Sequence, residues 1–291
     1  LPAATMPTLY VVGTPIGNLE DITLRALRVL REVSLIAAED TRSARVLLQR
    51  YDLHTPLTSY TDAYARGKRD KIEAILAALS QGNVALISEA GMPGIADPGY
   101  ELIRAALDAG HAVVPVPGPS AVVAALAVSG LPADRFLYLG FLPRRAAERR
   151  EILRAVADQA VTLVAFEAPH RLRDALRDLA EILGAERPLI VARELTKAHE
   201  EIWRGTTGQA YTHFAAVEPR GEFTLVIGGA PEAHKVVPKN ETRARETLQI
   251  LLDAGVTPSQ AAGAAARLTG WPRRTLYTWA TGKERADGKP G

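Results

Sequence analysis

The sequence repeats one pattern: a short apolar run, a loop rich in glycine or proline, and a helix-like segment. The clearest copy lies between Val84 and Tyr100. Val84–Ile87 is apolar and has the length of a buried strand, and a polar loop from Ser88 to Asp97 follows it. Pro98 after Asp97 predicts a helix that begins there, with Asp97 as its N-cap. Because ligands bind at the carboxyl ends of strands in open parallel sheets, the pattern predicts a ligand site at this loop.

The same pattern recurs along the first half of the chain. The predicted strands there are Leu9–Val12, Ser34–Ala38, Thr55–Tyr60, Val84–Ile87 and Ala112–Pro115. Helical spacing of apolar residues follows each strand, and Gly82, Gly110 and Gly130 are placed to end helices. This alternation predicts a parallel α/β sheet with right-handed crossovers.

The second half is also predicted to be α/β, with a mixed sheet. Its predicted strands are Phe136–Leu142, Val161–Phe166, Leu189–Ala192, Glu201–Arg204 at an edge, and Phe223–Ile227. Three short helical segments come last, at Thr242–Ala254, Ser259–Leu268 and Arg273–Ala280. A helix, a glycine turn and a basic helix resemble a helix-turn-helix, although a small bundle without a nucleic-acid role has the same pattern.

These patterns divide the chain into segments. The predicted domains are an N-terminal α/β domain at 8–119, a second α/β domain at 120–229 and a C-terminal helical domain at 241–282. The segment 230–240 is a polar linker that contains proline, and 1–7 and 283–291 are predicted to be tails.

Composition excludes several classes of protein. Of the 291 residues, 47% are apolar and 23% are charged, which is typical of a soluble globular protein. There is no cysteine, so disulfides, thiolate nucleophiles and cysteine-bound zinc are excluded. That composition fits a reducing cytoplasm, and no apolar run reaches membrane-spanning length. We therefore expect a cytoplasmic location and no membrane association.

The motifs exclude further classes. Gly13–Asn18 is not a dinucleotide-binding GxGxxG fingerprint, and the chain has no Walker lysine. The six histidines lack metal-ligand spacing, so no metal is expected. Ser120 lies in GPSAV rather than in the GxSxG turn of a hydrolase.

Five motifs, in this order, carry a resemblance to a known family. They are Thr14–Leu19 (TPIGNL), Ala38–Arg42 (AEDTR), Ser88–Pro93 continuing through Asp97–Gly99, Gly118–Ala121 (GPSA) and Arg193–Lys197 (RELTK). Together they resemble the tetrapyrrole methylase superfamily, and within it the methyltransferases that modify a ribosomal RNA cytidine at its 2'-oxygen. The resemblance covers roughly Leu9 to Gly229, and the helical tail also has a counterpart in that family.

The resemblance implies a fold, a cofactor and partners. It implies two α/β domains with S-adenosylmethionine (SAM) in the cleft between them, a homodimer, and modification of a decoding-centre cytidine of 16S rRNA within the small ribosomal subunit. By resemblance, the cofactor-binding residues are Pro15, Glu89, Ala90, Gly91, Pro93, Ser120, Ala121, Leu195, Thr196 and Thr224. For Ser120, a role as a simple helix N-cap is compatible with this assignment.

A ribose hydroxyl must lose its proton as it attacks, so the site needs a base or an orienting group. The candidates at strand ends are Glu39, Asp40, Glu194 and Lys197, with Glu167 considered beside them. A favourable helix start for Glu39 and Asp40, and a surface ion pair for Glu194 and Lys197, explain the same residues. The candidate RNA-binding residues are Arg42, Arg144, Arg145, His170, Arg171, Arg193, Arg273 and Arg274.

The chain departs from the family pattern at three positions, one of which is Gly13, where alanine or proline is common. Glu89 stands where the family usually has aspartate, and Met92 stands where it usually has threonine. Two alternatives therefore stay open: a SAM-dependent methylase of a small, tetrapyrrole-like molecule on the same fold, and a non-catalytic RNA-binding assembly factor that fails to bind SAM.

Overall fold

The structure is a computed structural model that describes residues 7–60, 68–231 and 241–281. The described residues form two compact units, one that ends at Ala230 and one that begins at Pro231. The predicted tails and linker lie almost wholly outside the described residues. The predicted domain boundary at 119 and 120 stays a prediction.

The first unit begins with a five-stranded sheet in which every neighbouring pair is parallel, as predicted. Its strands are β1 (Thr8–Val12), β2 (Leu35–Ala38), β3 (Leu57–Ser59), β4 (Val84–Ile87) and β5 (Ala112–Val116). The order across the sheet is β3-β2-β4-β1-β5. The helices between them are α1 (Leu24–Glu32), α2 (Thr41–Arg50), α3 (Lys68–Leu79) and α4 (Tyr100–Asp108).

Helices cover both faces of this sheet. Leu30 of α1 and Leu47 of α2 pack in one apolar cluster with Ile87, whereas Leu79 of α3 and Leu102 of α4 pack in another with Leu86. Strand β4 is buried along its whole length for this reason, and an uninterrupted apolar sequence is what such a strand requires.

A second five-stranded sheet follows in the same unit, and it is mixed as predicted. Its strands are β6 (Phe136–Phe141), β7 (Thr162–Glu167), β8 (Pro188–Arg193), β9 (Glu201–Thr206) and β10 (Phe223–Ile227). The order is β6-β7-β10-β8-β9, with β10 antiparallel to both of its neighbours and β9 at an edge. The helices are α5 (Ala121–Ser129), α6 (Ala146–Ala155), α7 (Leu172–Leu183) and α8 (Thr207–Ala216).

Helix α5 joins the two sheets. It follows β5 of the first sheet in sequence, yet Val122, Ala125 and Leu126 pack against Val164 and Val226 of the second sheet. The N-terminus of α5 therefore lies at the junction between the sheets, where Ser120 accepts a hydrogen bond from the backbone N–H of Val123 at 3.5 Å. The N-cap interpretation of Ser120 is confirmed.

The predicted start of the helix after β4 is wrong. Helix α4 begins at Tyr100, and its N-cap is Gly99 with a φ of 153° rather than Asp97. The reason is that the loop folds back on itself: the N–H of Gly94 donates to the carbonyl of Pro98 at 3.3 Å, and a Cβ on Gly99 would lie 2.9 Å from the Gly94 nitrogen. Asp97 is thereby left in the loop.

The second unit contains three helices, α9 (Glu241–Asp253), α10 (Pro258–Thr269) and α11 (Arg273–Thr281). Ala244, Ala261 and Leu276 are fully buried in its apolar cluster. Gly270, with a φ of 72°, ends α10, so the predicted helix, glycine turn and basic helix are present. In the part of the chain that the structure describes, no helix is long and apolar enough to cross a membrane.

Candidate active-site cleft

A cleft of about 550 Å³ lies between the two sheets of the first unit. The loops after β1, β2 and β4 form one wall together with α2 and the start of α5, and the other wall comes from the second sheet. The second wall includes Phe141, Phe166, Leu195, Lys197 and Thr224. Strand β10 runs antiparallel to β7 and β8, so its first residues reach the edge at which those strands end. A ligand site at the loop after β4 was the expectation, and Ser88–Ala90 and Asp97 line this cleft.

Backbone contacts hold the loops of the first wall together. Thr14 and Gly91 exchange two hydrogen bonds, from the Thr14 N–H to the Gly91 carbonyl at 2.9 Å and from the Gly91 N–H to the Thr14 carbonyl at 3.1 Å. A Cβ on Gly13 would lie 2.7 Å from the Cα of Gly118. The loops after β1 and β5 therefore approach so closely that only glycine fits at these two positions.

A glycine also closes one side of the cleft. A Cβ on Gly17 would lie 2.8 Å from both the carbonyl oxygen of Leu195 and the hydroxyl oxygen of Thr196. The loop after β1 thus touches the loop after β8. That second loop is strained, because Glu194 and Thr196 have positive φ angles of 50° and 66°.

The structure brings most of the expected cofactor residues to the cleft. Those that line it are Pro15, Glu89, Ala90, Ser120, Ala121, Leu195 and Thr224. Gly91, Pro93 and Thr196 are not part of its wall. The backbone groups of Gly91 are already paired with Thr14, and the Thr196 N–H donates to Glu200 at 2.6 Å.

Two of the expected base or orienting groups line the cleft, Glu39 and Lys197. Asp40 instead caps α2 and pairs with Arg42 at 2.8 Å. Hydrogen bonds from the Arg42 guanidinium and backbone lower the pKa of Asp40 to about 2. Glu194 lies beside the cleft and pairs with Lys197, whose Nζ is 2.9 Å from Glu194 Oε1 and 3.1 Å from Glu222 Oε2.

The expected RNA-binding residues differ in how exposed they are to solvent. Arg42, Arg144, Arg145, His170, Arg273 and Arg274 are exposed. Arg171 is held inside by Glu167 at 2.7 Å and by the carbonyl of Leu142 at 2.8 Å. Arg193 contacts Glu201 at 3.0 Å and donates to the carbonyl of Arg220. These last two arginines stabilise the second sheet and its loops.

The sequence reasoning missed part of the site. Phe141, Phe166 and Glu222 line the cleft, and so does Asp97, which we expected to be a helix cap. Burial, reinforced by the negative charge of Glu39, raises the pKa of Asp97 to about 7. The sequence does carry one signal for this part of the site: Phe141 and Phe166 lie near the carboxyl ends of two neighbouring strands.

The cleft has the chemistry to hold an elongated molecule with charges of both signs. The backbone amides at the start of α5 favour a carboxylate, because helix N-termini carry a partial positive charge. The side chains of Glu39, Glu89, Asp97 and Glu222 favour cationic groups, and the phenylalanines and Leu195 form an apolar surface. Within the described ranges, no group of three His, Cys, Asp or Glu side chains is arranged to hold a metal ion.

Two family models match this chain. Residues 8–211 match the model of Tetrapyrrole (Corrin/Porphyrin) Methylases, and residues 239–283 match that of the RsmI C-terminal HTH domain. The chain belongs to the RsmI family of tetrapyrrole methylases.

Individual relatives and a solved structure support the family assignment. Ribosomal RNA small subunit methyltransferase I of Synechocystis sp. is 47% identical over 94% of this chain and 96% of its own length. The protein of the same name from Thermotoga maritima is 48% identical over 77% of this chain and 99% of its own length. Uroporphyrin-III C-methyltransferase from Thermus thermophilus, solved with S-adenyl homocysteine, has a similar fold, with a TM-score of 0.54, 20% identity, and coverage of 76% of this chain and 97% of that one.

Proposed function

We propose that this protein transfers a methyl group from SAM to the 2'-hydroxyl of a cytidine in the decoding centre of 16S rRNA. The observation that carries the proposal is the cleft between the sheets, with acidic side chains, a helix N-terminus and an apolar wall. It lies in a chain of which 94% aligns with a small-subunit rRNA methyltransferase. The proposal includes action as a homodimer, in the cytoplasm, on the small ribosomal subunit.

The residues of the cleft fit SAM. Its carboxylate suits the backbone amides at Ala121 and Val122, which begin α5 and line the cleft. Its ammonium and sulfonium groups are cationic and suit the carboxylates of Glu39 and Glu89. The adenine ring suits the apolar surface that includes Leu195. When bound, SAM supplies an electrophilic methyl group on a positively charged sulfur.

The protein contributes positioning and electrostatics to this transfer. The two walls hold the reacting atoms in line and exclude water, which is a large part of catalysis when two reactants must meet. Lys197 donates to both Glu194 and Glu222, so its ammonium form is held in place. We assign Lys197 to orientation and charge balance rather than to proton removal.

Exposed basic residues supply the contact with RNA. Arg42 lies at the start of α2, in which Ser43, Ala44, Val46 and Leu47 line the cleft, and its side chain is 87% exposed. Arg144 and Arg145 precede α6, and His170 follows β7. Guanidinium groups bind phosphate well, so we assign these residues to the RNA backbone around the target nucleotide. Arg273 and Arg274 lie in the separate helical unit, and we assign them to RNA contact without reference to the cleft.

The test is transfer of labelled methyl from SAM to small ribosomal subunits, to naked 16S rRNA and to a tetrapyrrole precursor. Labelled RNA is then hydrolysed with alkali. A label in an alkali-resistant dinucleotide is expected, because a methylated 2'-oxygen blocks cleavage. Label in ordinary mononucleotides, or only in the tetrapyrrole, would contradict the proposal. Retained RNA binding without any SAM binding would favour an assembly factor.

A further inference from the structure

We propose that the carboxylate of Asp97 accepts the proton from the attacking ribose hydroxyl. This inference rests on the proposed function and names a catalytic residue for it. Asp97 lines the cleft, in the loop between β4 and α4. The loop around Asp97, the groups that face it and the partners of the other carboxylates support this assignment.

The loop holds Asp97 in a fixed position. The hydrogen bond from the Gly94 N–H to the Pro98 carbonyl closes the loop on both sides of it. The residue just before, Ala96, has a φ of 63°. A non-glycine residue in this region is strained and persists only when the surrounding structure enforces it. Such strain at a residue next to a cleft carboxylate is typical of a functional site.

Charged and polar groups face Asp97 from several elements. Glu39 at the end of β2, Glu89 after β4 and Glu222 before β10 each act on it through their negative charge, and Ser88 donates a hydrogen bond. Tyr138 of β6 is close enough for the charge of Asp97 to add to burial in raising the pKa of its hydroxyl to about 12. Lys197, the cation at the cleft, pairs with Glu194 and Glu222. Among the described residues Asp97 has no ion-pair partner.

Burial is the main cause of the raised pKa of Asp97, and repulsion by Glu39 is the next. A carboxylate whose pKa lies near 7 is an effective proton acceptor at neutral pH, since it is ionised often enough to act and basic enough to take a proton. Its position in the cleft lining makes Asp97 a candidate for the base, and its raised basicity suits it to proton removal from the ribose hydroxyl.

The other carboxylates near the cleft have ion-pair or hydrogen-bond partners, and Glu167, whose Oε2 accepts no hydrogen bond, does not line the cleft. Glu194 and Glu222 bind Lys197. Asp40 binds Arg42, and Glu167 binds Arg171. Glu89 accepts a hydrogen bond from the Ser43 hydroxyl at 3.3 Å, and Glu39 accepts one from the Glu89 N–H at 3.1 Å. Glu39 and Glu89 therefore fix the loop and attract cations, and we assign proton transfer to Asp97 because of its burial and the negative charges around it.

The step balances in atoms and charge. As the bond between the ribose oxygen and the methyl carbon forms, the hydroxyl proton moves to a carboxylate oxygen of Asp97. The bond between carbon and sulfur breaks, and its electron pair stays on sulfur. One positive charge on sulfur and one negative charge on Asp97 disappear together, so the net charge of the partly buried cleft does not change. Asp97 then releases the proton to water after the products leave.

The first test compares Asp97→Asn with wild type and with Asp108→Asn. Asp108 ends α4, is 59% exposed and pairs with Arg104, so it controls for loss of an aspartate near the same helix. We expect Asp97→Asn to lower kcat by about 10²–10⁴-fold, the usual contribution of a general base, while SAM affinity measured by calorimetry changes less than about threefold. The Asp108→Asn variant should match wild type in both measurements.

The second test uses pH and binding. The kcat/KM for SAM of the wild type, which reports the free enzyme, should rise with pH through an inflection near pH 7. Asp97→Glu should keep an inflection, and Asp97→Asn should lose it. SAM brings positive charge to the cleft, so its binding should release a proton from wild type near pH 7. Calorimetry in two buffers of different ionisation enthalpy measures this release, which Asp97→Asn should lack.

The outcomes separate the two proposals. A wild-type enzyme that methylates the 2'-oxygen beside an Asp97→Asn variant with normal kcat would overturn the role of Asp97 alone. Loss of SAM affinity in Asp97→Asn, with normal kcat at saturating SAM, would make Asp97 a cofactor ligand and also overturn it. A wild type that labels no 2'-oxygen would overturn the proposed function, and with it this step.

Discussion

Removal of Asp178 should destabilise the protein more than removal of any exposed acidic residue. Asp178 lies on α7, its side chain is fully buried, and it contacts Arg149 at 2.6 Å and Arg150 at 2.8 Å. Arg149 itself is only 3% exposed. Asp178→Ala therefore leaves a guanidinium buried without its counter-charge, and water has little access to it.

The expected loss is about 3–5 kcal/mol, the cost of breaking a buried ion pair by removing one partner. Because 1.4 kcal/mol is a factor of ten, this is a roughly 10²–10⁴-fold change in the folding equilibrium. Asp174→Ala on the same helix is the matched control, because Asp174 is 60% exposed and pairs with Arg177 at 3.0 Å. That exposed pair should contribute no more than about 1 kcal/mol.

The assay is urea unfolding followed by far-UV circular dichroism, with comparison of the midpoints at equal slope. A double variant, Arg149→Met with Asp178→Leu, should recover most of the loss, because it removes both charges and keeps the volume. If Asp178→Ala and Asp174→Ala shift the midpoint equally, or if the double variant is as unstable as Asp178→Ala, the reasoning from the buried charge is wrong.

Three further predictions concern the cleft. Gly17→Ala should weaken SAM binding measured by calorimetry, because its Cβ would lie 2.8 Å from the Leu195 carbonyl; Gly263→Ala, whose nearest contact is 3.7 Å, should not. Glu89→Asp should keep SAM affinity and Glu89→Ala should lose it, so unchanged affinity in the alanine variant would remove Glu89 from the site. The pKa of Asp97 is raised from 3.8 to about 7, so the folded state holds a proton that the unfolded chain has lost, and its contribution to stability falls as pH rises between these values. Asp97→Asn should therefore gain thermal stability over wild type between pH 5 and pH 8, and an equal difference in melting temperature at both pH values would contradict this.

Local patterns in the sequence predicted the elements well. The apolar run Val84–Ile87 forms a strand, and Ser120 accepts the hydrogen bond that caps the start of α5. These features depend on neighbours within a few residues, so a single sequence contains the information. The parallel first sheet and the mixed second sheet followed from the same signals.

Features that depend on distant residues were harder to predict. The start of α4 is set by a hydrogen bond between Gly94 and Pro98 inside an irregular loop, and no periodic pattern signals it. The sequence predicts a ligand site at this loop, but it does not show that Asp97 lines the cleft instead of capping α4. Arg171 is predicted to contact RNA, and its pairing with Glu167 at the end of a buried strand could not be read from the sequence. Each of these contacts joins residues that the local pattern does not connect.

Because α5 packs on the second sheet, it belongs mechanically to that sheet although it follows the first in the chain. A rotation of one sheet relative to the other would carry the amides at Ala121 along with Val226, while Glu89 and Asp97 would stay with β4. The donors for a carboxylate and the acceptors for a cation would then separate. A zwitterionic ligand that contacts both would draw the two sheets together, so its binding energy would close the cleft.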